Sequence, residues 1–326
     1  MPRVTRPAVA TAVAVALGLL AAAPATGGEP TVSDPRVVAH FQLARGETPE
    51  NIVLEPDGSA DLTFSTARQV VNVTRQGRTR VLATLPAVAN PKTPVVRAAV
   101  VLGIARARNG TLYVNYATGT ARTGIWRVDP DGSAPRQIAE LPPNGFPNGL
   151  ALDERRGVLY AADSVRGTVW RVPCHGGAPT AWATGAALEP RNAPPAARVG
   201  VNGLRLHRDA VWVSNTNAGT LLRIPVRPDG SAGAIETRAT RLYAIDDFGF
   251  VERRRDTALV ALTGGNEVAL VRPDGTHRVV LTAADGLSAP TSVAVRGRTA
   301  YVTSAAYFAQ RDPNLLLARV HQRARD

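Results

Sequence analysis

The residues best suited to chemistry recur at one place in a repeated phrase. Six hexapeptides along the 326-residue chain open alike: Pro49-Glu50-Asn51-Ile52-Val53-Leu54, Val101-Leu102-Gly103-Ile104-Ala105-Arg106, Pro147-Asn148-Gly149-Leu150-Ala151-Leu152, Val201-Asn202-Gly203-Leu204-Arg205-Leu206, Ile245-Asp246-Asp247-Phe248-Gly249-Phe250 and Pro290-Thr291-Ser292-Val293-Ala294-Val295. The second position holds Glu50, Leu102, Asn148, Asn202, Asp246 and Thr291, with Asp247 directly after Asp246. If that position lies at one height around a common axis, Glu50 and Asp246 meet in a narrow, poorly solvated space. Two such carboxylates repel, and one takes up a proton unless a cation lies between them. Calcium is the natural occupant, a hard ion that accepts roughly six to eight oxygen ligands in adaptable geometry. Glu50 and Asp246 would balance its charge, and the amide carbonyls of Asn148 and Asn202 would add neutral oxygens. Water or a substrate could fill the remaining positions. The set contains no histidine or cysteine, which argues against zinc and copper. The alternative is that these side chains cap strand ends and hydrogen-bond the neighbouring unit.

The phrases start at 49, 101, 147, 201, 245 and 290, so successive starts differ by 52, 46, 54, 44 and 45. That period suits a four-stranded propeller blade. Each unit reads as four short strands, and the second is the clearest: Thr111 to Asn115, Val158 to Ala162, Ala210 to Ser214, Ala258 to Leu262 and Ala300 to Ser304. β-branched and aromatic residues bounded by Gly, Asp and Asn predict strands and not helices. Pro-Asp-Gly at 56–58, 130–132, 228–230 and 273–275 predicts hairpin tips, with proline presetting the turn and glycine at positive φ. The last unit stops after its third strand, near Leu315 to Val320, while Arg36 to Leu43 is an orphan strand ahead of the first phrase. Pairing the two closes a ring and hides two sheet edges. We therefore expect an all-β, six-bladed β-propeller with four antiparallel strands per blade, the N-terminal strand completing the last one.

The ends and composition place this domain. Arg3 and Arg6, an apolar run from Ala8 to Ala23 and the small-residue site Ala23-Pro24-Ala25 predict a cleaved secretory leader over 1–25, leaving 26–326 as a single domain. The run is shorter than the roughly 20 residues of a spanning helix, so no membrane insertion is expected. The formal charge of +12 comes from 38 basic and 26 acidic residues, with Lys92 the only lysine. These arginines are scattered among turns and linkers, unlike the basic stripe of a nucleic-acid binder. The arginine bias reads as GC-rich bacterial coding, and the excess charge as loose attraction to an anionic cell envelope. We expect a secreted or envelope-associated bacterial protein, monomeric and acting on a small molecule. Cys174 is the only cysteine and so forms no internal disulfide.

At the ring residues the sequence resembles the calcium-dependent six-bladed propeller hydrolases, which include regucalcin, gluconolactonase, paraoxonase and diisopropylfluorophosphatase. The family's ligand order of glutamate, asparagine, asparagine and aspartate is matched by Glu50, Asn148, Asn202 and Asp246. The resemblance implies one calcium ion polarising a lactone carbonyl or phosphoryl oxygen, and a ring carboxylate acting as nucleophile or base. Paraoxonases carry a histidine dyad at the mouth, and none of His40, His175, His207, His277 and His321 is placed to serve. Catalysis would then rest on Asp246 and Asp247, with Asp247 taking a proton from water or else only bracing Asp246. No Gly-x-Ser-x-Gly elbow is present, which argues against a serine hydrolase. The function so implied is calcium-dependent hydrolysis of lactones or related esters. The alternatives are a non-catalytic propeller that binds a ligand or partner, and a biosynthetic enzyme like strictosidine synthase. Specificity should come from the loops Pro86 to Ala99 and Gly185 to Val199, with Tyr116, Asp163, Asn215, Tyr307 and Phe308 walling a cleft.

Overall fold

A computed structural model describes residues 30–191 and 198–321, together with residue 2; the predicted leader otherwise lies outside the described residues. Six four-stranded antiparallel sheets form a ring, which makes the molecule a six-bladed β-propeller. The chain enters with β1 (Thr31–His40). Blade 1 is β2 (Pro49–Leu54), β3 (Ala60–Phe64), β4 (Gln69–Val73) and β5 (Thr79–Thr84). Blade 2 is β6 (Val100–Arg106), β7 (Leu112–Ala117), β8 (Gly124–Val128) and β9 (Arg136–Glu140). Blade 3 is β10 (Pro147–Asp153), β11 (Val158–Asp163), β12 (Thr168–Pro173) and β13 (Thr180–Thr184). Blade 4 is β14 (Val201–His207), β15 (Ala210–Asn215), β16 (Thr220–Pro225) and β17 (Glu236–Ala239). Blade 5 is β18 (Ile245–Phe250), β19 (Ala258–Leu262), β20 (Glu267–Val271) and β21 (His277–Leu281). Blade 6 is β22 (Pro290–Arg296), β23 (Thr299–Ser304) and β24 (Asn314–His321), with β1 as its outer strand.

The closing pair runs antiparallel from Thr31 opposite His321 to His40 opposite Asn314. This strand begins and ends earlier than the pattern Arg36 to Leu43 predicts. Register breaks between Ser33 and Arg36 and between Val37 and Ala39 interrupt the two-residue alternation, so periodicity reads only its second half. Beyond it, Leu43–Arg45 forms a single 3-10 turn ended by Gly46 at φ 71°. The four Pro-Asp-Gly tips behave as predicted, with Gly58, Gly132, Gly230 and Gly275 all at positive φ.

The apolar core is divided among the seams between blades, while the axis is polar. Phe41, Ile52, Phe64 and Tyr301 fill the closure seam, and Tyr160, Val169, Val211 and Ile224 the seam between blades 3 and 4. Side chains on second strands also reach across seams to the next inner strand. Thr63 Oγ1 donates to the Leu102 carbonyl at 2.6 Å, Asn115 Nδ2 to that of Asn148 at 2.7 Å and Thr263 Oγ1 to that of Pro290 at 2.6 Å. Thr291 Oγ1 of blade 6 closes the circuit on the Pro49 carbonyl of blade 1 at 2.8 Å.

Candidate metal centre

All six inner strands break register after the first residue of the hexapeptide, five of them leaving out its second and third residues and blade 6 only its second, Thr291. The breaks fall between Pro49 and Ile52, Val101 and Ile104, Pro147 and Leu150, Val201 and Leu204, Ile245 and Phe248, and Pro290 and Ser292. A bulge leaves residues out of the ladder and re-aims their side chains, which is how positions two and three both come to serve the axis. In blades 2, 3 and 4 the third residue is Gly103, Gly149 or Gly203 because the next blade passes so closely. A Cβ on Gly149 would overlap the Asn202 carbonyl oxygen, and one on Gly203 would overlap Asp247.

The second-position residues form the upper layer. Glu50, Asn148 and Asn202 are buried and Asp246 is half-buried. Asn202 Nδ2 donates to Asp246 Oδ1 at 2.8 Å and to Thr216 Oγ1 at 2.9 Å, while its Oδ1 is buried without a hydrogen-bond partner. Thr263 Oγ1 lies 3.2 Å from Asp246 Oδ2. The Tyr307 hydroxyl donates to Glu50 Oε2. Leu102 packs with Val100, Ala117 and Phe146 and supplies no ligand, and Thr291 is spent on the seam. Glu50, Asn202 and Asp246, from blades 1, 4 and 5, thus come together at the axis, and Asn148 is buried at the equivalent position of blade 3.

Electrostatics in this layer favour a cation. Burial, together with the charge of Asp247, pushes Glu50 up to about 7, against the opposing hydrogen bond from Tyr307. Burial, followed by the charges of Glu50 and Asp247, holds Asp246 well above the usual carboxylate range. Burial and the nearby Glu50 carboxylate likewise raise the Tyr307 phenol. The protein therefore keeps two mutually repelling carboxylates beside an orphaned amide oxygen. That donor set, all hard oxygen, fits a calcium ion. Among the described residues no three His, Cys, Asp or Glu side chains converge as a metal cluster, so any ion held here would rely on the two amides as well as the two acids.

Asp247 is placed differently from its neighbour. Its Oδ2 accepts from Asn51 Nδ2 at 3.0 Å, from Ser292 Oγ at 2.6 Å and from the Arg205 guanidinium. Arg205, the fifth residue of the blade 4 phrase, crosses the axis to this cluster and also donates to Ser292 Oγ at 3.0 Å and the Phe248 carbonyl at 3.0 Å. Blades 1, 5 and 6 thus supply polar third-position residues, blade 4 supplies the cation, and together they floor the channel beneath the ring. Burial raises Asp247, and Arg205 opposes that rise. Sequence reasoning missed Arg205 and the Tyr307 contact with Glu50. A lone arginine inside an inner-strand phrase was the available signal for the first.

Of the residues expected to wall a cleft, three are loop staples. Tyr116 donates to the Pro86 carbonyl at 2.6 Å, Asn215 Nδ2 to the Ala187 and Glu189 carbonyls at 2.9 Å, and Asp163 Oδ1 accepts from the Phe146 amide at 2.8 Å. Tyr307 reaches the ring, whereas Phe308 and Tyr243, on loops of the same face, are exposed. The loop Gly185 to Val199 lies partly outside the described residues.

Bulged inner strands, a polar axis and six four-stranded sheets in a ring define the class as a six-bladed β-propeller. No protein-family model matches the sequence, and no curated protein matches it. Solved structures share the fold. A calcium-binding regucalcin from Agrobacterium tumefaciens is 15% identical with a TM-score of 0.63, over 88% of this chain and 93% of that one. A gluconolactonase from Xanthomonas campestris is 16% identical with a TM-score of 0.60, over 90% and 98%. A PQQ-bound aldose sugar dehydrogenase from Streptomyces coelicolor is 16% identical with a TM-score of 0.62, over 90% and 99%. At such identities the likeness establishes the architecture, and the site must argue for the chemistry.

Proposed function

We propose that this protein is an exported, calcium-dependent hydrolase of lactones or related esters. The observation that carries the reading is the buried, unpartnered Asn202 Oδ1 beside the desolvated pair Glu50 and Asp246. The fold likeness to a regucalcin and a gluconolactonase supports the same reading. Glu50, Asn148, Asn202 and Asp246 would hold the ion. Calcium so bound would supply Lewis-acid polarisation of the substrate's carbonyl or phosphoryl oxygen.

The chain's own groups do the rest. Asp246, whose Oδ2 has only the 3.2 Å contact from Thr263, accepts a proton from the attacking water. Asp247 is the weaker candidate for that role, because three donors converge on its Oδ2 and its Oδ1, which has no partner, is buried against Gly203 of blade 4. It acts instead as a positioning residue whose ion pair with Arg205 closes the channel beneath the ring. Tyr307 steadies Glu50 through its hydroxyl, and Tyr243 and Phe308 stand on the same face to meet the apolar part of a substrate.

The test is turnover of a panel of aldonolactones, aliphatic lactones and phosphotriesters, with calcium and with chelator. Calcium-dependent hydrolysis by the wild type, lost in a folded Asp246→Ala variant, supports the enzyme. No turnover across the panel favours the second reading, a ligand-binding propeller, for which the exposed Tyr243 and Phe308 are the supporting observation.

A further inference from the structure

Because neighbouring strands are antiparallel, the face opposite the ring carries the turns from first to second and from third to fourth strands. Around it, arginines on one blade meet carboxylates on the next. Arg106 Nε lies 2.6 Å from Glu55 Oε1, Arg108 Nε 3.2 Å from Glu154 Oε2, Arg155 Nη2 2.6 Å from Asp209 Oδ1 and Arg208 Nη1 3.1 Å from Asp256 Oδ1. Among the described residues no such pair bridges either seam of blade 6, and at the closure seam Arg296 donates to the Pro56 carbonyl of blade 1 instead. A groove of about 560 Å³ there is lined by Asp34 and Arg36 of β1, Arg75 of the β4–β5 turn, Arg298 of the β22–β23 turn, Thr299 and Arg319. Four exposed guanidinium groups face one carboxylate. Arg319 lies 3.7 Å from Asp34, and Arg36, Arg75 and Arg298 have no ion-pair partner among the described residues.

Nothing in the fold calls for this arrangement. The seam is held by the ladder between β1 and β24 and by its apolar filling, and four arginines around a single carboxylate repel. A guanidinium presents its N–H groups as a planar fork that matches phosphate oxygens in pairs, and several forks around one groove suit several linked phosphates. The concave shape favours a chain that enters over a flat bilayer, which would reach only the rim. We propose that this groove binds a linear chain of phosphate groups. The site is separate from the ring and lies on the other face, so a protein tethered there keeps its channel mouth open.

The probe is sodium tripolyphosphate, itself a calcium chelator and therefore titrated calorimetrically into the calcium-free mature protein, at about 150 mM salt, where long-range attraction to the net charge is largely screened. Binding near one equivalent is expected. It should weaken about tenfold or more in Arg75→Glu/Arg298→Glu, which removes two charged donors. Arg45→Glu/Arg122→Glu, with the same change in net charge on the ring face, should bind as the wild type does. So should Asp246→Ala, which makes failure here distinguishable from failure of the hydrolase reading. The proposal is overturned if the groove variant binds like the wild type, or if both arginine pairs weaken binding equally. It is also overturned if vesicles of anionic phospholipid are bound through these arginines while tripolyphosphate is not.

Discussion

Replacing Arg205 by methionine tests whether the channel floor is an ion pair that the protein depends on. Asp247 is 1% exposed and Arg205 17%, so the variant leaves a carboxylate facing Asn51 and Ser292 alone. Removing one member of a buried pair costs about 3–5 kcal/mol, because the remaining charge is uncompensated. At about 2–4 °C per kcal/mol for a domain of a few hundred residues, the melting temperature should fall by about 10 °C. The penalty should also depend on pH. Asp247 already lies above its ordinary range through burial, and Arg205 is the largest influence pulling it back. Without Arg205 its folded value climbs further. An acid whose folded value is raised contributes stability that is present below its unfolded value and lost as pH rises through the folded one. The variant should therefore be most damaged near pH 8 and partly recover near pH 5. Urea unfolding followed by circular dichroism at both pH values measures this, with Arg205→Met/Asp247→Asn closing the cycle. The double variant should be less destabilised than the sum of its parts. A single variant within about 1 kcal/mol of wild type at pH 8, or strict additivity in the cycle, would refute the reasoning.

The ring should titrate in its own right. With Glu50 raised from 4.5 to about 7, the calcium-free protein should gain up to about 3 kcal/mol as pH falls from 8 through 7 toward 4.5. Saturating calcium should flatten that slope, as read by melting temperature against pH with and without chelator. Asp246→Asn should stabilise the calcium-free protein by relieving repulsion from Glu50, and should abolish the calcium-dependent rise in melting temperature. Tyr307→Phe removes a hydrogen bond that favours the ionised Glu50, so the midpoint of the same pH profile should move upward. Gly149→Ala should cost about 1–3 kcal/mol in urea unfolding, because the new methyl meets the Asn202 carbonyl of the next blade.

The repeat, the blade count and the missing strand were all legible in the chain, because each follows from a period that local side-chain types reveal. That Glu50, Asn202 and Asp246 would be neighbours was legible for the same reason: residues at one place in a repeat stand at one height around an axis. Pro-Asp-Gly marked its turns because proline fixes φ at about −65° and glycine alone takes a positive φ without steric cost. Contacts that exist only once the ring has closed were beyond such reading. Arg205 reaches Asp247 and Asn51 across the axis, from blade 4 to blades 5 and 1, and Tyr307 turns back from blade 6 onto Glu50 in blade 1. The bulge that takes Asp246 and Asp247 out of the ladder, and the glycine that blade 4 needs beside Asp247, likewise emerge only in the packed blades. The arginine groove gathers residues from both ends of the chain at the seam where they meet. Local pattern specifies which strands form and in what order, but the field inside a channel and the charge along a seam depend on every blade at once, so only the closed ring decides them.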